Sequence, residues 1–301
     1  MTPLRRSDVR SGFARTDDGQ QLYWRTVGSG PAVALCNGIG VSTFFWKYVV
    51  EGLRDRYRVV LWDYRGHGRS SVPRGDGLSL GMERNAADLW TVLDAAGVDP
   101  GPAVLVGHSM GCQVILEAYR QAPERVRALV PMFGTFARPL DTFFDSPHAR
   151  AVFDRIQPVA SRADRRARRW LLPLYASPVA FDFSRWLGLV HPEHADAVDI
   201  HRYTDHLVRM DPDVFLGMLS EMAEHDLGPH LPHVTVPTLV YGAGRDVFTP
   251  AHRARAMAEA IPGARYVHLE DASHAALVEH PVSIQAELDA FLAEVESSAA
   301  M

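Results

Sequence analysis

The stretch "VLVGHSMGCQ", residues 104–113, decides the fold. Its apolar run predicts a buried strand that ends near Gly107, and the residues that follow Ser109 predict a helix that ends before Pro123. A serine at such a junction sits on a sharp turn that exposes its hydroxyl, with room only for small residues two positions before and after it. Both of those positions, Gly107 and Gly111, are glycine, but in a chain with 23 glycines this pattern needs support from elsewhere.

Strands and helices are predicted to alternate on both sides of this stretch. Predicted strands cover residues 12–27 (a hairpin that turns at Asp18-Gly19), 32–36, 57–63, 102–107, 126–133, 235–242 and 264–270. Predicted helices cover residues 44–55, 79–97, 109–121, 250–260 and 281–295, and residues 296–301 are expected to fray. Such alternation implies an α/β fold, in which a mostly parallel sheet is covered by helices on both faces.

The pattern changes between residues 137 and 233, where helical stretches rich in arginine, histidine and aromatic residues replace the alternation. No buried strand is predicted there. We therefore expect a core domain formed by residues 1–136 and 234–301, with a helical cap, residues 137–233, inserted after the sixth strand.

The composition excludes several classes of protein. The 301 residues carry a formal net charge of −5, which attracts neither nucleic acid nor an anionic membrane. Residues 1–19 lack the apolar core of a secretory signal, and no window holds the roughly 18 apolar residues of a membrane span. Cys36 and Cys112 fit a reducing compartment. We expect a cytoplasmic monomer or homodimer that acts on a small molecule.

Two later residues supply the partners that a nucleophilic serine needs. A serine hydroxyl is a poor nucleophile at neutral pH, so it requires a base, and the base requires an orienting acid. Asp246 follows one late predicted strand and His274 follows the next. Asp246 is therefore a candidate for the acid and His274 a candidate for the base. The amide of Met110, at the start of the helix, would face an oxyanion formed beside Ser109.

With these partners, the chain resembles the α/β-hydrolase superfamily, in the branch of serine hydrolases with a helical cap. The matching segments, in chain order, are "NGIG" (37–40), "DYRGHGRS" (63–70), "GHSMG" (107–111), "GAGRDVFTP" (242–250) and "DASHAALVEHP" (271–281). The resemblance implies an eight-stranded, mostly parallel sheet. It also implies Ser109 as nucleophile, His274 as general acid and base, and Asp246 as the orienting carboxylate. The second oxyanion donor would be the backbone amide of Ile39, although Asn37 stands where the family has histidine.

This site predicts hydrolysis of a carboxylic ester or lactone of a small apolar substrate through an acyl-enzyme, without metal or cofactor. Aspartate replaces the serine in relatives that form alkyl esters, so serine favours acyl transfer. Carbon–carbon bond hydrolases, cofactor-free peroxidases and triad-retaining receptors share the scaffold and stay open. The candidate pocket walls are apolar side chains near the predicted site: Phe44, Phe45, Trp46, Met132, Phe133 and Phe248.

Other patterns have competing interpretations. "CNGIGVST" (36–43) imitates a dinucleotide loop, with Asp63 ending the next strand, but Thr43 stands where a third small residue is required. Lys47 is the only lysine, which excludes a phosphate-binding G-x-x-x-x-G-K-[ST] loop. The arginine-rich residues 161–170 are interpreted as an exposed helix face. Several histidines and aspartates of the cap could form a metal site, but without an H-E-x-x-H pair they are expected on a solvated helix surface. They are His191, His194, Asp196, Asp199, His201, Asp205 and His206.

Overall fold

The computed structural model describes residues 9–73, 79–98, 101–143, 146, 148–162 and 197–299. Its centre is an eight-stranded sheet in the order β1-β2-β4-β3-β5-β6-β7-β8. The first hairpin pairs antiparallel, β2 also pairs antiparallel with β4, and the remaining neighbours are parallel. The strands are β1 (Val9–Arg15), β2 (Gln21–Val27), β3 (Ala32–Cys36), β4 (Arg58–Trp62), β5 (Ala103–His108), β6 (Val126–Met132), β7 (Leu239–Ala243) and β8 (Arg265–Leu269).

Helices cover both faces of this sheet, as the predicted α/β fold requires. They are α1 (Lys47–Leu53), α2 (Met82–Ala95), α3 (Met110–Gln121), α4 (Ala149–Arg162), α5 (Ala197–Arg209), α6 (Pro212–Glu224), α7 (Ala251–Ala260), α8 (Ala276–Glu279) and α9 (Pro281–Ala299). None of the helices in the described ranges combines the length and apolar character needed to cross a bilayer.

The central strands are almost entirely apolar because both of their faces are buried. Leu105 packs into a cluster on one face of the sheet, and its neighbours Val104 and Val106 pack into the cluster on the other face. All six residues of β5 are buried. This accounts for the continuous apolar run, since a parallel sheet covered on both sides leaves no polar face. The run ends where the chain reaches the carboxyl edge of the sheet, at Ser109.

Two local predictions are corrected. The helix expected at residues 44–55 begins as a 3-10 turn, Thr43–Trp46, and becomes α-helical only from Lys47. The last helix continues to Ala299 rather than ending near residue 295. The hairpin turn is confirmed, since Gly19 has a φ of 82° that the turn requires.

Helices α4, α5 and α6 occupy the described part of the segment between β6 and β7. Helix α6 packs directly on the α/β core, because Val214 and Met218 are fully buried within the same apolar cluster as the sheet. Residues 163–196 lie outside the described ranges, and with them most of the arginine-rich run, His191, His194 and Asp196. The division into core and cap therefore stays a prediction.

A buried ion cluster holds the loop after β4. Arg65 is 1% exposed, and its Nη2 donates to Asp88 Oδ1 at 2.8 Å while its Nη1 donates to Asp18 Oδ2 at 2.5 Å. Asp88 is itself fully buried. Removing one partner of such a cluster would leave an uncompensated buried charge, which typically costs about 3–5 kcal/mol. The cluster fixes the loop that carries His67.

Candidate active site

Ser109 occupies a strained turn between β5 and α3. Its φ of 55° and ψ of −119° lie in a region that non-glycine residues rarely adopt, and its amide donates to the Met132 carbonyl at 3.1 Å. A Cβ at Gly107 would lie 2.3 Å from the Gly111 carbonyl oxygen, and a Cβ at Gly111 would lie 2.3 Å from the Cys36 carbonyl oxygen. Both glycines are therefore required by backbone packing, as the sequence predicted for this junction.

The structure brings Ser109, His274 and Asp246 together in a hydrogen-bonded chain. Ser109 Oγ lies 2.9 Å from His274 Nε2, and His274 Nδ1 lies 2.8 Å from Asp246 Oδ2. The hydroxyl can donate to Nε2 only if the imidazole proton is on Nδ1, where the carboxylate accepts it. This is the tautomer in which a histidine can take a proton from serine.

Asp246 is 5% exposed, and hydrogen bonds accepted by its carboxylate hold the side chain in place. Its Oδ1 accepts from the amides of Phe248 and Thr249, both at 2.9 Å. The Thr249 hydroxyl lies 2.8 Å from Oδ2 and also 2.9 Å from the Phe133 carbonyl oxygen. Thr249 was not predicted as a site residue, because the known turn preference of aspartate concerns the backbone two residues on, which is Phe248 here.

Two buried side chains position the His274 loop, and the sequence analysis assigned neither of them a role. Glu279 accepts from the Ser273 amide at 2.9 Å and from the Ser273 hydroxyl at 2.6 Å. His108, the residue before the serine, donates from Nε2 to the His274 carbonyl at 3.0 Å. The strand that carries Ser109 is thereby tied to the loop that carries its partner. Ser273 and Glu279 are six residues apart, which is not a helical spacing, so no sequence pattern indicated this pair.

The two predicted oxyanion donors flank Ser109. Met110 begins α3, and Ile39 lies in the loop after β3, where a Cβ on Gly38 would approach Ser109 Cβ to 3.1 Å. Across the described residues, neither the Ile39 amide nor the Met110 amide has a hydrogen-bond acceptor within the protein. Both N–H groups are available to a negatively charged oxygen beside Ser109.

Asn37 serves as a buried anchor for this loop. Its Nδ2 donates to the Trp62 carbonyl at 2.8 Å, and its Oδ1 accepts from Trp46 Nε1 at 2.7 Å. The Asn37 carbonyl oxygen also accepts from the Tyr64 hydroxyl at 3.0 Å. The side-chain amide of asparagine carries a donor nitrogen and an acceptor oxygen on one carbon, so it can bond to the Trp62 carbonyl and the Trp46 indole together. Asparagine therefore fits at the position where the resemblance led us to expect histidine.

The candidate wall residues divide into two groups. The Phe248 ring lies 5.0 Å from that of His274 between centroids, at an interplanar angle of 52°, and both Phe248 and Phe44 keep part of their surface exposed. The remaining candidates have the environment of core residues in this structure, with 6% exposure or less: Phe45, Trp46, Met132 and Phe133. We therefore retain Phe44 and Phe248 as the more accessible candidates for an apolar wall, and a lining role for the four buried side chains stays a prediction.

Two of the potential metal ligands, Asp199 and His206, have partners within the protein. Asp199 pairs with Lys47 at 2.7 Å and is buried, so the expectation of a solvated surface is wrong for this residue, and His206 bonds to backbone groups of the core. Glu83, Glu117 and His225 lie close enough to share an ion, but Arg120 already donates to both oxygens of the buried Glu117 carboxylate. These groups form an ion-pair network.

We expect stability to fall as the pH drops from 7.5 to 5.0, because two histidines are buried in the neutral form. Burial lowers the pKa of His67 to about 4, and burial beside His274 lowers the pKa of His108 to about 3. In the unfolded chain both protonate near pH 6.5, so each removes up to about 1.4 kcal/mol of stability per pH unit below that value. Urea unfolding should show a loss of about 3–4 kcal/mol for the pair over this interval.

The control variant is His108→Gln. The glutamine side chain is long enough to place its amide nitrogen near the position of Nε2, and it does not titrate. It should show about half of the wild-type pH dependence. An unfolding free energy that is level between pH 7.5 and 5.0 would contradict the prediction.

The eight-stranded sheet, its helices and the serine-bearing turn define a protein of the α/β-hydrolase type. A family model described as the alpha/beta hydrolase fold matches residues 31–281, so the chain belongs to the alpha/beta hydrolase family. Among curated proteins, it is 30% identical to RutD of Azorhizobium caulinodans, a protein named as a carbamate hydrolase, over 84% of this chain and 88% of that relative.

Solved structures support the same class. A hydrolase from Pseudomonas aeruginosa PA01 superimposes with a TM-score of 0.76 at 28% identity, over 94% of this chain and 98% of that one. A thermophilic esterase from Thermogutta terrifontis superimposes with a TM-score of 0.74 at 25% identity, over 95% and 99% of the two chains. The chain is accordingly a hydrolase of the alpha/beta fold.

Proposed function

We propose that the protein is a serine hydrolase that cleaves a carboxylic ester or lactone of a small apolar substrate through an acyl-enzyme. The observation that carries this proposal is the chain of hydrogen bonds from Ser109 through His274 to Asp246, at 2.9 and 2.8 Å. The sharp turn at Ser109 and the unpaired amides beside it support the same chemistry.

The first half of the reaction forms the acyl-enzyme. Ser109 Oγ attacks the ester carbonyl carbon while its proton moves to His274 Nε2, and the carbonyl oxygen takes up the negative charge. The amides of Ile39 and Met110 donate hydrogen bonds to that oxygen. Asp246 stabilises the imidazolium formed on His274. When the tetrahedral intermediate collapses, the alcohol leaves with the proton from Nε2.

Water completes the cycle on the acyl-enzyme. His274 takes a proton from water, the hydroxide attacks the acyl carbon, and Ser109 recovers its proton as the acid leaves. His274 relays both protons, the one that Ser109 gives to the alcohol and the one that water returns to Ser109, and the two amides stabilise both tetrahedral intermediates.

The substrate class follows from the surroundings of the site. Phe248 offers apolar surface beside His274, which favours an apolar acyl or alcohol group, and the Phe44 ring lies 6.3 Å from that of His206 on α5. A carbamate is the second candidate, because the relative of similar length from Azorhizobium caulinodans bears the name carbamate hydrolase. The attacked carbon and the oxyanion are equivalent in both cases, so the same residues would act.

The proposal is tested by a turnover screen over aryl esters of graded chain length, lactones, carbamates, thioesters and amides. We expect multiple turnovers on aryl esters, and labelling of Ser109 by a fluorophosphonate that mass spectrometry locates on the peptide of residue 109. Ser297→Ala, which alters an exposed serine of α9, is the matched control and should behave as wild type. A burst without turnover would favour a receptor, and activity only on carbon–carbon bonds or with peroxide would replace the ester assignment.

We also propose a cytoplasmic location. Cys36 and Cys112 are unpaired thiols with no exposed surface, and burial raises the pKa of Cys36 to about 12. Two inert thiols of this kind are compatible with a reducing compartment.

A further inference from the structure

The loop that carries the Ile39 amide is a tight turn. The Val41 amide donates to the Gly38 carbonyl at 3.4 Å, and Gly40 has a φ of 72°. A positive φ at the third residue is the mark of a type II turn, and it favours glycine. The hydrogen bond of the turn uses the Val41 amide, which leaves the Ile39 amide to act elsewhere.

Two imidazoles hold Gly40, one on each side of its backbone. The Gly40 amide donates to His67 Nε2 at 3.0 Å, and the Gly40 carbonyl accepts from His206 Nδ1 at 2.9 Å. These bonds fix the peptide planes before and after Gly40. Since the first of those planes begins at Ile39, they also restrict the backbone that orients the Ile39 amide.

His206 joins two loops of the core from outside it. It lies on α5, in the segment between β6 and β7, and its Nε2 accepts from the Gly68 amide at 3.0 Å. One ring nitrogen thus binds the loop after β3 and the other binds the loop after β4. His67, on the second loop, donates from Nδ1 to the Arg65 carbonyl at 3.0 Å, so both nitrogens of each histidine are used.

Helix α5 is docked at two points on the same face. Seven residues before His206, and therefore two turns along the helix, Asp199 forms an ion pair with Lys47 at 2.7 Å. The Asp199 side chain is only 3% exposed. Leu207 packs so closely on the turn that a Cβ at Gly40 would lie 2.9 Å from Leu207 Cδ1.

We propose that His206 is a positioning residue for the oxyanion hole, and that the docking of α5 on Gly40 and Gly68 sets the orientation of the Ile39 amide. The inference rests on the proposed function, because it concerns the oxyanion formed when Ser109 attacks. Helix α5, which contributes none of the predicted triad residues, thereby positions a group that stabilises the oxyanion.

Three substitutions at position 206 separate the two hydrogen bonds. Asparagine places its amide nitrogen where Nδ1 lies, so it keeps the bond to the Gly40 carbonyl. Glutamine reaches as far as Nε2, so it keeps only the bond to the Gly68 amide. Phenylalanine keeps neither bond. We expect His206→Phe and His206→Gln to lower kcat on an aryl ester about 10- to 100-fold, a part of the loss that follows complete removal of an oxyanion donor. His206→Asn should stay within about threefold of wild type.

Two further readouts exclude a merely structural role. The affinity for an aryl trifluoromethyl ketone, whose adduct with serine carries the oxyanion, should fall in parallel with kcat, while KM changes little. Arg209→Ala, an exposed change on the same helix, is the matched control and should alter neither quantity. The inference is overturned if His206→Phe keeps wild-type kcat and ketone affinity, or if Asn and Gln lose activity equally.

The two proposals fail differently. The ester assignment is judged on wild type and on Ser109→Ala, whereas the inference is judged on the ratios among the position-206 variants. If wild type turns over no ester, the same ratios are measured as rates of Ser109 labelling by the fluorophosphonate, which also develops a charged oxygen beside the nucleophile. If wild type neither turns over nor labels, both proposals are overturned.

Discussion

Replacing Ser109 with alanine is expected to lower kcat on any ester that the wild type cleaves by roughly 10⁴- to 10⁶-fold. The variant lacks the oxygen that would attack the carbonyl carbon, so only uncatalysed attack by water on a bound substrate is left. Because alanine is smaller than serine and no described hydrogen bond other than that to His274 uses the hydroxyl, the fold should be preserved. KM should change little, since the substrate can still bind.

The measurement needs a preparation free of wild-type enzyme, because a trace of contamination would mask a loss of this size. Titration with the fluorophosphonate, which should label wild type fully and Ser109→Ala not at all, provides that check. Ser297→Ala, the exposed-serine control, should retain full activity. A Ser109→Ala variant that keeps more than a few per cent of the wild-type kcat would show that the nucleophile lies elsewhere.

The second large effect is expected from Asp246→Asn, which should lower kcat by about 10⁴-fold without unfolding the protein. Oδ1 of Asp246 accepts two backbone amides, from Phe248 and Thr249, so the carbonyl oxygen of an asparagine must take that position. Its NH₂ group then faces His274 Nδ1, which must become an acceptor. The imidazole proton moves to Nε2, where it blocks the transfer from Ser109.

The loss of activity in Asp246→Asn is expected to be independent of the stability of the fold. The Thr249 hydroxyl can accept from the new NH₂ group and donate to the Phe133 carbonyl, so the melting temperature should stay close to that of the wild type. A double variant, Ser109→Ala with Asp246→Asn, should be no slower than Ser109→Ala alone, because the residues act as a unit. Additive losses would mean that Asp246 acts outside this chain of hydrogen bonds.

Most of the fold could be predicted because its signals are local. Apolar runs such as residues 104–107, bounded by glycine and followed by helical spacing, report burial on both faces of a parallel sheet at any place in the chain. The start of α1 was wrong by a few residues, since the 3-10 turn Thr43–Trp46 depends on tertiary packing. Trp46 donates its indole hydrogen to Asn37, which no local pattern reports.

The candidate site was predicted less evenly. Ser109, Asp246 and His274 stand at strand ends, and the carboxyl ends of parallel strands meet at one edge of a sheet, so their approach could be expected. The side chains that position these three residues could not be predicted. Thr249, Glu279 and His108 are common residue types, and their roles depend on hydrogen bonds that form only when the tertiary structure places the atoms to within a few tenths of an ångström. The proposed wall residues Met132 and Phe133 are buried, and the sequence did not reveal this because an apolar residue near a site has the same sequence pattern as a core residue.

By itself, the sequence determined the order of the elements, the turn that exposes Ser109 and the residue types available to partner it, because backbone sterics and burial act over a few neighbours. Only the tertiary structure decided the contacts between distant segments. Ser109 meets His274 across 165 positions, and Gly40 meets His206 across 166. Such contacts depend on how whole helices and strands pack, and so the link from α5 to the Ile39 amide became visible only in three dimensions.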